Sequence, residues 1–277
     1  MNTLSKERKI QILSGLVEGV SIRSLERMTN THRDTIMRLM VRIGNGCQKL
    51  LNENLKGFHS KYLQADELWT FVQKKERKLK AEEKNNTDMG DQHVFIALDT
   101  DSKLVPVHVV GKRNTETTYY FMSELKKKLN GNGRIQLTTD GFKPYEGAVE
   151  WQFGSDVDYA QQIKMYAAEN PGPGRYAPPR VAEVVSTTIQ GDPDEKHIST
   201  SFEERHNLTM RMQLRRFTRL TNAFSKKLDN LKASLALYFA HYNFMRIHRT
   251  LRMTPAMEAG ITDHIWTWEE VLAYEAN

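Results

Sequence analysis

The apolar residues of this chain change their spacing at Tyr62, and that change restricts its folds more than any other feature. Before it, Ile10, Leu13 and Val17, then Ile22, Leu25 and Met28, then Ile36, Leu39, Met40 and Ile43 recur every three or four residues, the period of amphipathic helices. From Tyr62 to Val72 apolar and polar residues alternate, and Trp69 and Phe71 favour sheet. A small helical unit therefore precedes a sheet-containing domain. With 277 residues, 39% of them hydrophobic, the chain can bury a sizeable core.

The spacing over residues 4–43 predicts three helices. Gly19 and Ser21 separate the first two, the joint Met28-Thr29-Asn30-Thr31 is short, and Thr31 with Asp34 is expected to cap the third. That third helix opens with His32, Arg33, Thr35 and Arg38 on its polar side, as in a helix-turn-helix whose last helix enters a major groove. Arg23, Thr31, His32, Arg33, Thr35 and Arg38 are the expected DNA contacts, within a unit spanning 1–50. A plain helical hairpin has the same pattern.

Further along, the polar stretch from Gln73 to Asn86 is expected to be an exposed loop or helix. Strands follow at His93–Leu98 and Leu104–Val110, joined by a turn over Asp99–Lys103. Pro106 removes a ladder donor, so the second of these belongs at a sheet edge or a bulge. Thr115–Leu129 reads as a helix, and Arg134–Thr139 as a short strand delivering Asp140 just before Gly141. This order matches the opening of the ribonuclease-H-like fold, an α/β fold with a mixed sheet flanked by helices. Residues 147–200 read as an insertion before a helical segment, with Val181–Ile189 as one further strand in it. From Glu204 to His248 the pattern is helical, with a basic face of Arg211, Arg215, Arg216, Arg219, Lys226, Lys227 and Lys232.

Lys and Arg outnumber Asp and Glu by 40 to 34, giving a net charge of +6 and favouring a polyanionic partner. The only cysteine, Cys47, excludes a disulfide framework and a multi-thiolate zinc site. No run approaches the roughly 20 apolar residues that span a bilayer, and MNTLSKERK lacks the apolar stretch of a signal peptide, so a soluble intracellular protein is expected.

Hydrolysing a phosphodiester needs an activated water and neutralisation of the pentacoordinate phosphate, which two Mg²⁺ ions about 3.5–4 Å apart can supply together. Such hard cations need oxygen ligands from separate elements. Asp66 in a strand, Asp140 at a strand end and Glu204 opening a helix have that chemistry, although single carboxylates at such places also serve as caps, turns or surface charge. Alternation sends Asp66 and Glu67 to opposite faces, so only one is expected at the site, and Asp66 is preferred.

Four segments resemble insertion-sequence transposases. They are Ala65-Asp66-Glu67-Leu68-Trp69-Thr70-Phe71-Val72, Thr139-Asp140-Gly141-Phe142-Lys143-Pro144-Tyr145, the run from Ser199 through Glu204-Arg205-His206-Asn207-Leu208 to Lys227, and Tyr242-Asn243-Phe244-Met245-Arg246-Ile247-His248-Arg249 with the following Thr254-Pro255-Ala256. The third is similar to the Glu helix of the insertion-sequence-one family of DDE transposases, and the resemblance covers roughly residues 60–262, leaving 263–277 as a tail. It implies a ribonuclease-H-like catalytic domain in which Asp66, Asp140 and Glu204 are catalytic residues and metal ligands for two Mg²⁺, with Mn²⁺ as substitute. In that family's Glu-Arg-x-Asn-Leu pattern the glutamate is Glu204, and Arg211, nearly two turns on, is the expected basic residue. The implied partner is double-stranded DNA, both transposon ends and target. The implied assembly is a homodimer or larger, and the setting a prokaryotic cytoplasm beside the nucleoid. The family's founding member has an N-terminal cysteine cluster, which this sequence lacks. A DNA-binding regulator without cutting activity and a ribonuclease-H-like nuclease remain the alternatives.

Overall fold

The computed structural model describes residues 4–131, 133–166, 181–218 and 221–275. Three helices open it. In α1 (Lys6–Val17) the Ser5 hydroxyl accepts from the Arg8 N–H at 3.2 Å. In α2 (Ile22–Thr29) Ser21 does the same for Ser24 at 3.1 Å, and the helix ends on Asn30 in the left-handed region. Helix α3 (Arg33–Asn54) is capped by His32, whose Nδ1 accepts from the Asp34 N–H at 3.3 Å. Thr31, the expected cap, is instead buried and donates its hydroxyl to the Thr29 carbonyl at 3.2 Å. Met28, expected on an apolar face, is 63% exposed because α2 packs through Leu25 alone of its apolar side chains in the core.

Strands β1 (Tyr62–Val72), β2 (Gly90–Asp99) and β3 (Val107–Gly111) form an antiparallel meander. Helix α4 (Thr115–Lys128) leads to β4 (Ile135–Thr139), which pairs parallel with β1. Helix α5 (Pro144–Phe153) returns the chain to β5 (Val157–Tyr166), parallel to β4, and β6 (Val181–Gln190) pairs antiparallel with β5. The resulting six-stranded sheet has the order β3-β2-β1-β4-β5-β6. A three-stranded meander followed by parallel strands added on the β1 side is the ribonuclease-H-like arrangement, here with three helices in front. β3 begins directly after Pro106 and lies at the edge, where the missing N–H costs no ladder bond.

The stretch read as an insertion contributes a core strand, since β5 lies directly beside β4. β6 is exposed along its length, including Val181, Val184, Val185 and Ile189, and among the described residues no strand pairs with its outer edge.

Helix α6 (Ser201–Gln213) ends in a 3-10 turn at Arg215–Phe217, residues 221–227 are not helical, and α7 (Leu228–Phe244) follows. The helical pattern from Glu204 to His248 thus resolves into two helices. Short helices α8 (Pro255–Glu258) and α9 (Trp268–Ala273) close the described chain.

Helices α4 and α5 cover one sheet face, burying Ala65, Phe95, Phe121, Leu125 and Tyr145. On the other face Leu68, Val94 and Ile96 pack with Leu235 and Phe239 of α7, and the same cluster includes Ile12, Ile36 and Leu50 of the N-terminal helices. α3 runs on through Gly44-Asn45-Gly46 because glycine lets it cross α7 closely: a Cβ on Gly44 would lie 2.2 Å from the Ala233 carbonyl oxygen. Asn243 of α7 is fully buried, accepting from the Val105 N–H at 3.0 Å and donating to its carbonyl at 2.9 Å, which ties α7 to the approach to β3. Among the described residues no helix is long and apolar enough to cross a membrane.

Candidate active site

The parallel ladder between β1 and β4 ends at the pair Ala65 and Thr139. The next residues, Asp66 and Asp140, thus leave the ladder side by side. Ligand oxygens of Asp66, Glu67 and Asp140 all lie within 4.8 Å of one another. Glu67 therefore joins the cluster, contrary to the alternation argument. Its longer side chain comes from the opposite face, and beyond the ladder's end nothing separates the two faces.

Glu67 Oε2 accepts from Arg113 Nε at 3.1 Å, and Arg113 Nη2 donates to Asp140 Oδ2 at 3.3 Å, so one guanidinium bridges two carboxylates. The same guanidinium lies 3.8 Å from the centre of the Phe142 ring. Glu67 Oε1 is buried without a hydrogen-bond partner. Burial, then the nearby Asp140 charge, push the Glu67 carboxyl up to about 7, and the same two influences raise Asp66. Asp140 Oδ1 accepts from the Phe142 N–H at 3.0 Å, fixing the turn after β4.

Helix α6 meets the cluster through its first turn, and β1 itself anchors that turn. Gln64 Oε1 accepts from the N–H groups of Phe202 and Glu203 at 2.9 and 3.1 Å, satisfying two donors that begin a helix unpaired. Glu203 is fully buried, and burial together with the facing Asp66 holds its carboxyl well above the usual range. Asn207, one turn on, donates to Asp66 Oδ2 at 3.1 Å and Glu203 Oε2 at 2.7 Å from a single nitrogen. Glu204 faces the cleft, where Oε1 accepts from Thr200 Oγ1 at 2.9 Å and pairs with Lys164 of β5.

Asp66, Asp140 and Glu204 thus line one cleft of 570 Å³, with Arg113, Lys143 and Lys164 on its walls. Glu204 stands outside the tight three-carboxylate cluster, and Arg211 does not line the cleft. Three carboxylates drawn together, two of them raised chiefly by burial and one oxygen of Glu67 left without a donor, form an all-oxygen set that suits a hard divalent cation. Sequence reasoning missed Glu67, Glu203, Gln64, Arg113 and Lys164. Only Asn207 carried a signal, at i+4 from Glu203 within the quoted helix motif.

The expected DNA contacts fall into two groups. Arg23, His32, Arg33 and Arg38 are exposed and Thr35 half-buried on the N-terminal helices, whereas buried Thr31 faces the core and is withdrawn. Arg215, Lys226 and Lys227 are exposed around the link between α6 and α7, and Lys232 on α7. Arg216 turns inward rather than joining a solvated face, and its Nη1 donates to Ser225 Oγ at 2.9 Å. Arg219 lies outside the described residues.

No family model matches the chain, and no curated protein is detectably similar to it in sequence. Solved structures show a similarity, among them three transposase complexes. The Mos1 strand transfer complex aligns at 15% identity over 57% of this chain and 59% of that one, with a TM-score of 0.25. This chain thus spans less than two thirds of that Mos1 chain. The piggyBac transposase synaptic complex with hairpin DNA aligns at 11% identity over 99% of this chain and 72% of that one, with a TM-score of 0.39. A pre-cleavage Mos1 transpososome aligns at 12% identity over 87% of this chain and 80% of that one, with a TM-score of 0.27. The strand order and register, rather than these scores, carry the fold assignment: the described chain is a six-stranded mixed α/β sheet flanked by helices, of ribonuclease-H-like topology, preceded by three helices.

Proposed function

We propose that the chain is a DDE-type DNA transposase that cuts and joins DNA with Asp66, Asp140 and Glu204. The observation supporting this reading most strongly is that these three, from two parallel strands and a facing helix, open onto one cleft with cationic walls. Asp66, Asp140 and Glu204 would hold two Mg²⁺ ions, with Glu67 beside them. When bound, the ions would supply Lewis acidity and lower the pKa of a water at the scissile phosphate. Arg113 holds Glu67 and Asp140 in place, while Lys143 and Lys164 present positive charge to a phosphate entering the cleft. Asn207 orients Asp66. Attack of water on one strand breaks a phosphodiester and leaves a 3′-hydroxyl. That hydroxyl then attacks a target phosphodiester, forming one diester as it displaces a target 3′-hydroxyl, so the joining step conserves a phosphodiester and needs no energy cofactor.

In this reading residues 1–50 grip the terminal inverted repeats of an insertion sequence, 60–262 carry the chemistry, and two copies or more hold the paired ends beside the nucleoid. The test is incubation of the full chain with labelled duplex carrying the ends of its own element, with Mg²⁺ or Mn²⁺, beside Asp140→Asn. Metal-dependent nicking plus joined products is expected, both abolished in Asp140→Asn while affinity for the ends stays within a few fold. Nicking without joining would make it a nuclease, and specific binding with neither product a regulator.

A further inference from the structure

A second cavity, of 730 Å³, lies between the N-terminal helices and the link joining α6 to α7. Its floor is apolar, made by Val17, Met37, Met40 and Leu237. Five cations line it: Arg23, Arg33, Arg215, Arg216 and Lys226. No Asp or Glu lines it among the described residues.

Arg216 is the informative member. Its guanidinium donates to Ser225 Oγ at 2.9 Å and otherwise meets the thioether sulfurs of Met40 and Met37 at 3.2 and 3.5 Å, and no carboxylate pairs with it among the described residues. Enclosure pushes it down to about 10. A charge withdrawn from water is ordinarily paired, and among the described residues half-buried Arg216 meets only a hydroxyl and two sulfurs. Its environment therefore asks for an anion.

The rim adds aromatic surface. Phe224 lines the cavity with Lys226 Nζ 3.4 Å from its ring centre, packs on Phe71 at 4.6 Å, and Phe71 packs on Trp69 at 5.7 Å. Lys75 Nζ lies 5.3 Å from the Trp69 ring and 5.8 Å from Phe71. Three half-buried rings, flanked by Lys226 at one end and Lys75 at the other, thus form one track that begins at the cavity.

We propose that this cavity and its aromatic rim bind an unpaired stretch of DNA, with phosphates at Arg216, Arg215 and Lys226 and bases against Phe224 and the apolar floor. A duplex offers phosphates with its bases stacked inside, and so has no use for an apolar floor. A single strand offers both anions and open π-faces, which matches a run of rings flanked by cations. The proposal rests on the DNA-processing reading but concerns surface outside the carboxylate cleft.

The test compares fluorescence anisotropy of labelled oligothymidylate with that of duplex end DNA, using the full chain in EDTA so that cutting is silent. Phe224→Leu, which keeps the packing on Phe71, is expected to weaken oligothymidylate binding about tenfold while duplex affinity moves less than twofold. Arg216→Gln and Lys226→Gln, which remove phosphate-binding cations, should also weaken oligothymidylate binding, and circular dichroism checks that Arg216→Gln folds; the comparison with duplex is read on Phe224→Leu alone. Unchanged oligothymidylate affinity in folded variants would overturn the proposal, as would equal losses for both DNAs, the mark of a duplex phosphate surface. If the wild-type chain neither binds nor cuts duplex ends, the transposase reading fails while single-strand binding still decides this one.

Discussion

Asn207 holds together two carboxylates that would otherwise repel, since one amide nitrogen serves both Asp66 and Glu203. Asn207→Ala removes that donor from buried acceptors, so unfolding free energy is expected to fall by about 1–3 kcal/mol. Urea titration in EDTA measures it, and an unchanged midpoint would show the amide to be dispensable. At this scale position alone left Asp66 in a strand, Asp140 at a strand end and Glu204 opening a helix indistinguishable from caps and surface charge; the resemblance of their segments singled them out, and the structure puts all three on one cleft. Glu67 was hidden because alternation describes where Cβ points and ignores how far a glutamate reaches past the end of a ladder. Glu203 was hidden because an acidic residue beside another at a helix start reads as ordinary N-terminal charge.

At the scale of elements, Gly44 decides how closely α3 approaches α7. Gly44→Ala would set a methyl against the Ala233 backbone, which cannot step aside as a side chain can. A loss of about 1–3 kcal/mol or more is expected, read as a lower thermal midpoint; an unaltered midpoint would mean that the crossing is loose. The helical spacing over residues 4–43 stops short of Gly44-Asn45-Gly46, whereas α3 continues through them to Asn54. A long-range contact explains those glycines, and local pattern carries no trace of it. The strands were more legible: β1, β3 and β6 follow alternation, β-branched residues and Pro106, whereas β5 was lost among the prolines and glycines that follow it. Element packing also sets a pH response. His108 of β3 stacks on Phe239 of α7 with ring centres 4.4 Å apart, and His241 of α7 stacks on Trp268 of α9 at 5.9 Å. Burial lowers His108 to about 3 and His241 to about 4. At these two rings the folded state holds fewer protons than the unfolded chain below pH about 6.5, so their contribution to stability falls as pH falls through that value, against the opposite contribution of the raised Glu67. A loss on the order of 1–2 kcal/mol per ring is expected between pH 7 and pH 5. Urea unfolding at the two values measures it, and His108→Phe should make the drop smaller; an equal drop in that variant would acquit His108.

For the whole molecule, the N-terminal helices and the sheet share one apolar cluster that runs from Ile12 through Leu50 to Leu68 and Phe239. A unit that looks separable by its period is therefore packed on the sheet-containing half along α3 and α7. Calorimetry of the full chain is expected to show one cooperative transition. Removing residues 1–55 should leave a remainder without one, because α7 would lose the partner covering its outer face. Two well-resolved transitions, or a truncated chain that melts cooperatively, would contradict this.

The outer edge of β6 acts on the molecule from the opposite side. Along Val181–Gln190 the only charged residue is Glu183, and the strand contains no proline to blunt it. Exposed strands of this composition recruit further strands, in or out of register. Shelf life of the purified protein should accordingly be governed by this one strip, whatever the resilience of the core. Val184→Lys is expected to raise the concentration at which light scattering begins without moving the melting temperature. Colloidal behaviour and folding stability would then be independently adjustable in this chain, through residues on opposite ends of a single sheet.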